Sequence, residues 1–325
     1  MPGSRFSLLC VLTAISTASG ADVDGSTTQP ALQHGPARDA PQSGTPAPAR
    51  ARPLPFFYDL YTFRGRGGGT TVVTAFAVEA GRLETEGTNT GVRYRFSVTL
   101  VLADTAVRSV FGTHDTVSVD LRRPIDGDHL LYTHVEVQAP PSGTTRQRVI
   151  MTDATAPGIG QLYSDVFPIP DYSGSHLMLS DIALGHPDAQ SGWTRGGVTL
   201  ALLPTSQFPS SAFDVFYEVY NLPAGNEYTT EIAIEHSDDA AAGEPVRLRF
   251  VDESTAGRNA VLAELRRIET SLPRGSYRIT VTVTDHATRQ SASRSRSFEV
   301  RGWGREATMV AAGPHRSWHR PPDTR

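Results

Sequence analysis

Lysine is absent from all 325 residues, so each of the 30 basic side chains is arginine. That excludes Schiff-base lysines, a lysine-bearing P-loop and the Ser-x-x-Lys arrangement of penicillin-binding proteins. Cysteine occurs once, as Cys10. Neither sign of charge dominates: 34 acidic residues against 30 basic give a formal charge of -4. The composition therefore carries neither a polyanion-binding surface nor an acidic tail, and no nucleic-acid partner is expected. Beyond the N-terminal leader no segment approaches the roughly 18 apolar residues that a membrane-spanning helix needs. His-x-His, His-Glu-x-x-His and Gly-x-Ser-x-Gly are all missing, so no metal centre, cofactor or serine nucleophile is predicted.

At the N-terminus, Arg5 precedes "FSLLCVLTAIST" and then the small residues Ala18, Ser19, Gly20 and Ala21. This order predicts a secretory signal peptide over 1–20. Cys10 lies inside it, leaving a mature chain with no thiol, disulfide or thiolate metal site. An extracytoplasmic location follows, in the periplasm, secreted or on the outer surface. Residues 21–55 are rich in Pro, Ala, Ser and Thr, with little apolar surface to offset ordering, and read as a disordered linker. Residues 302–325 lose all periodicity and read as a disordered tail.

Between these ends, period two dominates, with β-branched and aromatic residues and frequent turn clusters. An all-β chain is predicted, with two antiparallel β-sandwich domains at 56–204 and 205–301. Strands are expected at Phe56 to Arg64, Thr71 to Glu79, Val92 to Ala103, Thr116 to Leu121, Leu130 to Gln138, Gln147 to Thr152, Leu177 to Leu184 and Gly197 to Leu202. A second series runs Phe213 to Asn221, Tyr228 to His236, Val246 to Val251, Tyr277 to Thr284 and Ser295 to Val300. The stretch Arg258 to Glu269 fits helix and strand alike. "LPRGSY" before "RITVTVTD" looks like the tyrosine corner of immunoglobulin and fibronectin type III sandwiches, with Tyr277 in the corner position.

"RGRGGG", Arg64 to Gly69, invites a nucleotide reading. A phosphate loop requires a helix directly after the glycines. The run that follows, "TTVVTAFAV", is β-branched and alternating, so the glycines are read as a hairpin turn exposing Arg64 and Arg66.

The remaining candidates for chemistry are sparse. His129 and His134 fall on opposite faces of a strand and cannot share a metal. "EHSDDAAAGE", Glu235 to Glu244, has the oxygen atoms for calcium but no recognised spacing, and reads as a hairpin tip. The long segment Asp153 to Asp188 holds Asp165, Asp171 and Asp181 with Tyr163, Tyr172 and His176, which suit a glycosidase carboxylate pair, sugar stacking or a loop capping a sandwich.

The order "FYDLYTFR", "TTVVTAFAV", "LMLSDIAL", "FDVFYEVYNL" and "GSYRITVTVTD" resembles the β-sandwich portion of bacterial GWxTD-domain proteins, a group of exported proteins. The naming motif is absent, because Gly192, Trp193 and Thr194 are not followed by Thr-Asp, and no catalytic residue is carried over. The resemblance implies a bacterial envelope protein.

A non-enzymatic binding or assembly module is expected, recognising protein or glycan through loops and edge strands. The expected contacts are Arg64, Arg66, Tyr163, Tyr172 and Trp193, although Tyr163 and Trp193 equally suit a packed core. A glycan-active hydrolase using the loop carboxylates and a purely structural spacer are the alternatives.

Overall fold

The computed structural model describes residues 53–125, 129–156, 160–187, 192–205, 212–237, 247–259, 261–269, 272–300 and 310–311. The expected signal peptide, the linker up to 52 and the calcium-like loop beyond Ser237 lie outside the described residues.

The all-β expectation holds. The first strands are β1 (Phe57–Arg64), β2 (Thr70–Glu79), β3 (Thr85–Thr88), β4 (Gly91–Asp104), β5 (Ser109–Leu121), β6 (Leu130–Ala139), β7 (Thr145–Asp153) and β8 (Gly160–Val166). Then come β9 (Met178–Leu179), β10 (Ala183–Pro187), β11 (Trp193–Arg195), β12 (Val198–Leu202), β13 (Phe213–Tyr220) and β14 (Glu227–His236). The chain continues through β15 (Arg247–Thr255), β16 (Val261–Ile268), β17 (Gly275–Asp285), β18 (Ser291–Val300) and β19 (Val310–Ala311). The ambiguous stretch Arg258 to Glu269 thus contributes a strand, Val261–Ile268: pairing along the whole of β13 overrides its helix-forming composition.

These strands form four sheets. Sheet I runs β1-β2-β6-β19, and sheet III runs β11-β12-β10-β13-β16 with β9 also on β13. Sheet II is built on β4, flanked by β5 on one side and by β3 and β7 on the other, with β8 outside β7. Sheet IV runs β15-β14-β17-β18. All pairings are antiparallel except that of β19, which lies parallel to β6, so part of the expected disordered tail instead joins sheet I.

Three apolar interfaces stack the sheets. Val72, Phe76 and Val78 of sheet I meet Phe96, Val98 and Leu100 of sheet II. The opposite face of sheet I, with Tyr61, Phe63 and Val73, meets Trp193, Leu200 and Phe216 of sheet III. Val215, Tyr217 and Val219 on the far face of sheet III meet Ile232, Ile279 and Val281 of sheet IV. The layers run II, I, III, IV: two sandwiches joined back to back, with sheets I and III covered on both faces.

The burial follows this order. In β17 inward and outward residues alternate, as an outer layer requires. In β2 every residue from Thr70 to Val78 is buried, and so is every residue of β13. "TTVVTAFAV" therefore does not alternate in its environment, because each of its faces packs against a sheet. The expected boundary between Pro204 and Thr205 also fails to separate the sandwiches, since β10 and β12 before it share sheet III with β13 after it. The linker boundary shifts as well, with Leu54 only 1% exposed in the first core.

Tyr277 is buried, and its hydroxyl donates to the Pro273 carbonyl oxygen at 2.8 Å, tying the turn before β17 to the strand. Tyr277→Phe keeps the ring against Phe298 and removes this bond. It is expected to cost about 1–3 kcal/mol in urea unfolding; an unchanged midpoint would show that the hydroxyl contributes nothing to the corner.

Candidate functional site

Three of the side chains singled out in the sequence, Arg64, Tyr172 and Asp181, come together at one place, the outer edge of β1. An edge strand exposes alternate N–H and C=O groups that need partners, and here those groups belong to Leu60, Thr62 and Arg64. Each is met by a side chain or an irregular segment. The Leu60 N–H donates to Asp59 Oδ1 at 2.9 Å, and its carbonyl accepts from Arg296 Nη2 at 2.7 Å. The Thr62 N–H donates to Asp181 Oδ2 at 2.9 Å, and its carbonyl accepts from the Asp181 N–H at 3.0 Å. The Arg64 N–H donates to Tyr220 Oη at 2.8 Å, and its carbonyl accepts from Arg195 Nη2 at 2.7 Å.

Local sequence explains how these partners arrive. Between the pairs Leu179↔Val219 and Ala183↔Phe216, three residues lie on one strand and two on the other. This is a β-bulge, and it breaks the expected continuous strand Leu177 to Leu184. Ser180 stays on β13, its N–H donating to the Glu218 carbonyl and its Oγ accepting from the Glu218 N–H. The extra residue lets Asp181 turn out to β1. Arg195 is placed by the β11–β12 hairpin, whose Gly196 and Gly197 have φ of 57° and 81°. Two consecutive positive φ values define a type I′ turn, which glycine adopts without strain. Asn221, itself at φ 63°, donates to the Gly174 and His176 carbonyls and holds the loop before β9.

Charges are paired throughout this seam. Glu218 accepts from Arg195 Nε and Nη2, both at 2.8 Å, and from the Tyr220 hydroxyl at 2.6 Å. Arg296 pairs with Asp59 at 2.8 Å and lies over the Tyr61 ring at 4.1 Å. Arg294 approaches Asp181 at 3.6 Å and donates to Tyr172 Oη at 3.3 Å. Burial, reinforced by the Asp181 carboxylate, pushes the Tyr172 hydroxyl up to about 12, so it remains a neutral hydrogen-bonding group.

Several expected contact residues are therefore structural. Arg64 is not displayed by the hairpin: its guanidinium lies 4.3 Å over Tyr220 and donates to the Tyr172 carbonyl and Asn221 Oδ1. Tyr172 and Trp193 are each 2% exposed. Trp193 packs between Phe63 and Phe216, where the large ring fills the space between sheets I and III. Arg66 is exposed in a single-turn 3-10 segment, beside Gln138, Pro140 and Pro141 in a depression of about 290 Å³. Tyr163 lies on β8 opposite Val149, and its side chain is outside the described residues.

The three loop carboxylates have separate surroundings. Asp165 is exposed on β8 and accepts from the Val166 N–H, whereas exposed Asp171 accepts from the Ser173 N–H. Asp181 is committed to Thr62 and Arg294. Among the described residues no group of three or more His, Cys, Asp or Glu could hold a metal ion, and no helix is long and apolar enough to cross a membrane.

A second depression, also about 290 Å³, opens where the loop before β9 meets the start of β18. Asp171, His176 and Met178 line one side, and Ser291, Ser293 and Arg294 the other. Sequence reading missed this juxtaposition, because Arg294 lies 118 residues beyond His176 (294 minus 176) and nothing in "SASRSRSFEV" marks a wall.

On β10, burial and then the positive charge of Arg267 lower His186 to about 4. An unfolded imidazole titrates near 6.5. Between those values the unfolded chain binds more protons, so stability falls as pH falls through this window and levels off below it. His186→Gln is expected to reduce that slope in urea midpoints measured from pH 7 to 5; identical slopes would rule the residue out as the cause.

The fold and seam define a class: an all-β protein of two antiparallel sandwiches joined through their middle sheets by a buried arginine–carboxylate–tyrosine seam. No protein-family model and no curated protein matches the chain. Among solved structures it is similar to a β-glucuronidase of Bacteroides uniformis, at 10% identity and TM-score 0.25, covering 73% of this chain and 26% of that one. Red sea bream transglutaminase gives 11% identity and TM-score 0.21, covering 76% of this chain and 31% of that one. The chain thus spans under a third of either protein, and likeness at this level assigns no activity.

Proposed function

We propose that this chain is an exported, non-enzymatic binding or assembly module of the bacterial cell envelope that recognises protein or glycan through its loops. The observation that carries this reading is the depression at the junction of the sandwiches. There the exposed Asp171, His176, Ser291 and Ser293 offer donors and acceptors on walls held by the Asn221 clamp and the β17–β18 ladder. Arg66, exposed beside Pro140 and Pro141, offers a second contact. The phrases resembling GWxTD-domain proteins supply Asp59, Asp181, Glu218 and Asn221 to the seam, so the likeness concerns the joint between sandwiches. A spacer role is favoured by one observation: much of the expected loop is wedged into that seam, with Tyr172, Leu177 and Leu179 buried.

The test is capture from envelope extract and glycan arrays with the mature chain, beside a variant carrying Arg66→Ala, Asp171→Ala and His176→Ala. These residues are exposed, so circular dichroism should be unchanged. A ligand held by the native chain and lost by the variant supports the binding reading. Capture by neither, or equally by both, refutes this assignment of the surface and favours the spacer.

A further inference from the structure

The outer edge of sheet IV has a pattern the binding reading does not use. Among the described residues β15 is hydrogen-bonded on one side only, to β14. It is nine residues long and contains no proline, and of the devices that blunt natural edges (short length, proline, bulges and charged side chains) it carries only charges, of both signs. Phe250 and Val251 are 42% and 54% exposed.

The direction of its free backbone groups can be read from its end. The Ala256 N–H donates to the Asn226 carbonyl, and the Ala256 carbonyl accepts from the Gly225 N–H, so Ala256 faces β14. Since strand groups alternate in direction, Ser254, Asp252 and Phe250 also face β14, whereas Glu253, Val251 and Arg249 direct their N–H and C=O outward. Their side chains share the solvent face of the sheet with Glu231, which pairs with Arg249.

On that face the outward residues read positive, apolar, negative: Arg249, Val251, Glu253. This order is complementary to its own reverse. We propose that two copies of the chain associate antiparallel along β15 about a two-fold axis at Val251, continuing sheet IV across both. Val251 meets its counterpart, and each Arg249 lies opposite the other copy's Glu253. The residues with outward hydrogen-bonding groups meet one another, as a ladder requires. An edge bearing one sign of charge would repel itself; this arrangement attracts itself at both ends. The interface is distant in the fold from the loop depression and independent of the ligand proposed for it.

Sedimentation velocity of the full mature chain over a concentration series tests this. A concentration-dependent monomer–dimer equilibrium that weakens with salt is expected. Arg249→Glu and Glu253→Arg each place like charges opposite one another and should each raise the dissociation constant by about tenfold or more. Mixed in equal amounts, these two variants present two negative residues against two positive ones and should form a heterodimer. Arg249→Glu also disturbs the pair with Glu231, so Glu253→Arg is the cleaner single variant, and circular dichroism checks that both remain folded. A native chain that stays monomeric overturns the proposal. So does a dimer unaffected by either change, or a folded pair of variants that fails to associate on mixing.

Discussion

Glu218→Ala is expected to destabilise the protein by about 3–5 kcal/mol, the range for breaking a buried ion pair by removing one partner. The carboxylate is buried, with a side-chain exposure of 4%, and receives both prongs of Arg195. Removing it leaves the guanidinium uncompensated between sheets I and III, and leaves the Tyr220 hydroxyl without its acceptor. In the native protein burial and then the Glu218 charge raise the Tyr220 pKa, so its hydroxyl stays protonated and donates to the carboxylate. Two further variants separate charge from packing. Glu218→Gln should cost less, because it keeps volume and an acceptor, and Glu218→Ala with Arg195→Met should recover part of the loss, because no lone charge remains. Urea unfolding gives each value; a single-variant cost below about 1 kcal/mol would mean that solvent reaches the pair.

Arg296→Met should be comparably costly, about 3–5 kcal/mol, and should change how the protein unfolds. Arg296 stands on β18 of the second sandwich, yet its partners, Asp59, the Leu60 carbonyl and the Tyr61 ring, are all on β1 of the first. Its loss leaves Asp59 with hydrogen bonds from Thr205 and the Leu60 N–H but without the arginine's charge, and uncovers a carbonyl on the strand edge. The penalty thus falls on the joint, and unfolding should broaden or split into two steps as the sandwiches lose cooperativity. A double-mutant cycle with Asp59→Asn should show strong coupling. Additive costs would sink the claim that this pair stitches the sandwiches.

The places where sequence reading went astray share a cause. Strands of the outer sheets that alternate, such as "RITVTVTD", were legible, as was the corner at Tyr277. Edge strands with few apolar residues were not: β3 and β8 carry mostly polar side chains, and the first half of β5, "SVFGTHD", contains a glycine and polar residues that mimic a turn. Three of the expected contact residues, Arg64, Tyr172 and Trp193, are packed rather than displayed, for another reason. Aromatic and arginine side chains are favoured both at binding surfaces and in buried polar joints, and the difference is a matter of which strand lies opposite. Arg64 illustrates this: it closes a glycine turn, where exposure is the ordinary expectation, but Tyr220, 156 residues away, lies beneath it.

Sequence alone determined the all-β class, because period two and turn spacing are local properties of the chain. It also excluded lysine chemistry, since composition needs no coordinates. Only the tertiary structure decided that two sandwiches pack back to back through their middle sheets and that Asp59, Asp181 and Glu218 are joined to arginines rather than presented to a ligand. The reason is physical: a residue's partner across a sheet interface is fixed by topology and register between segments far apart in the chain, and no local pattern encodes that distance.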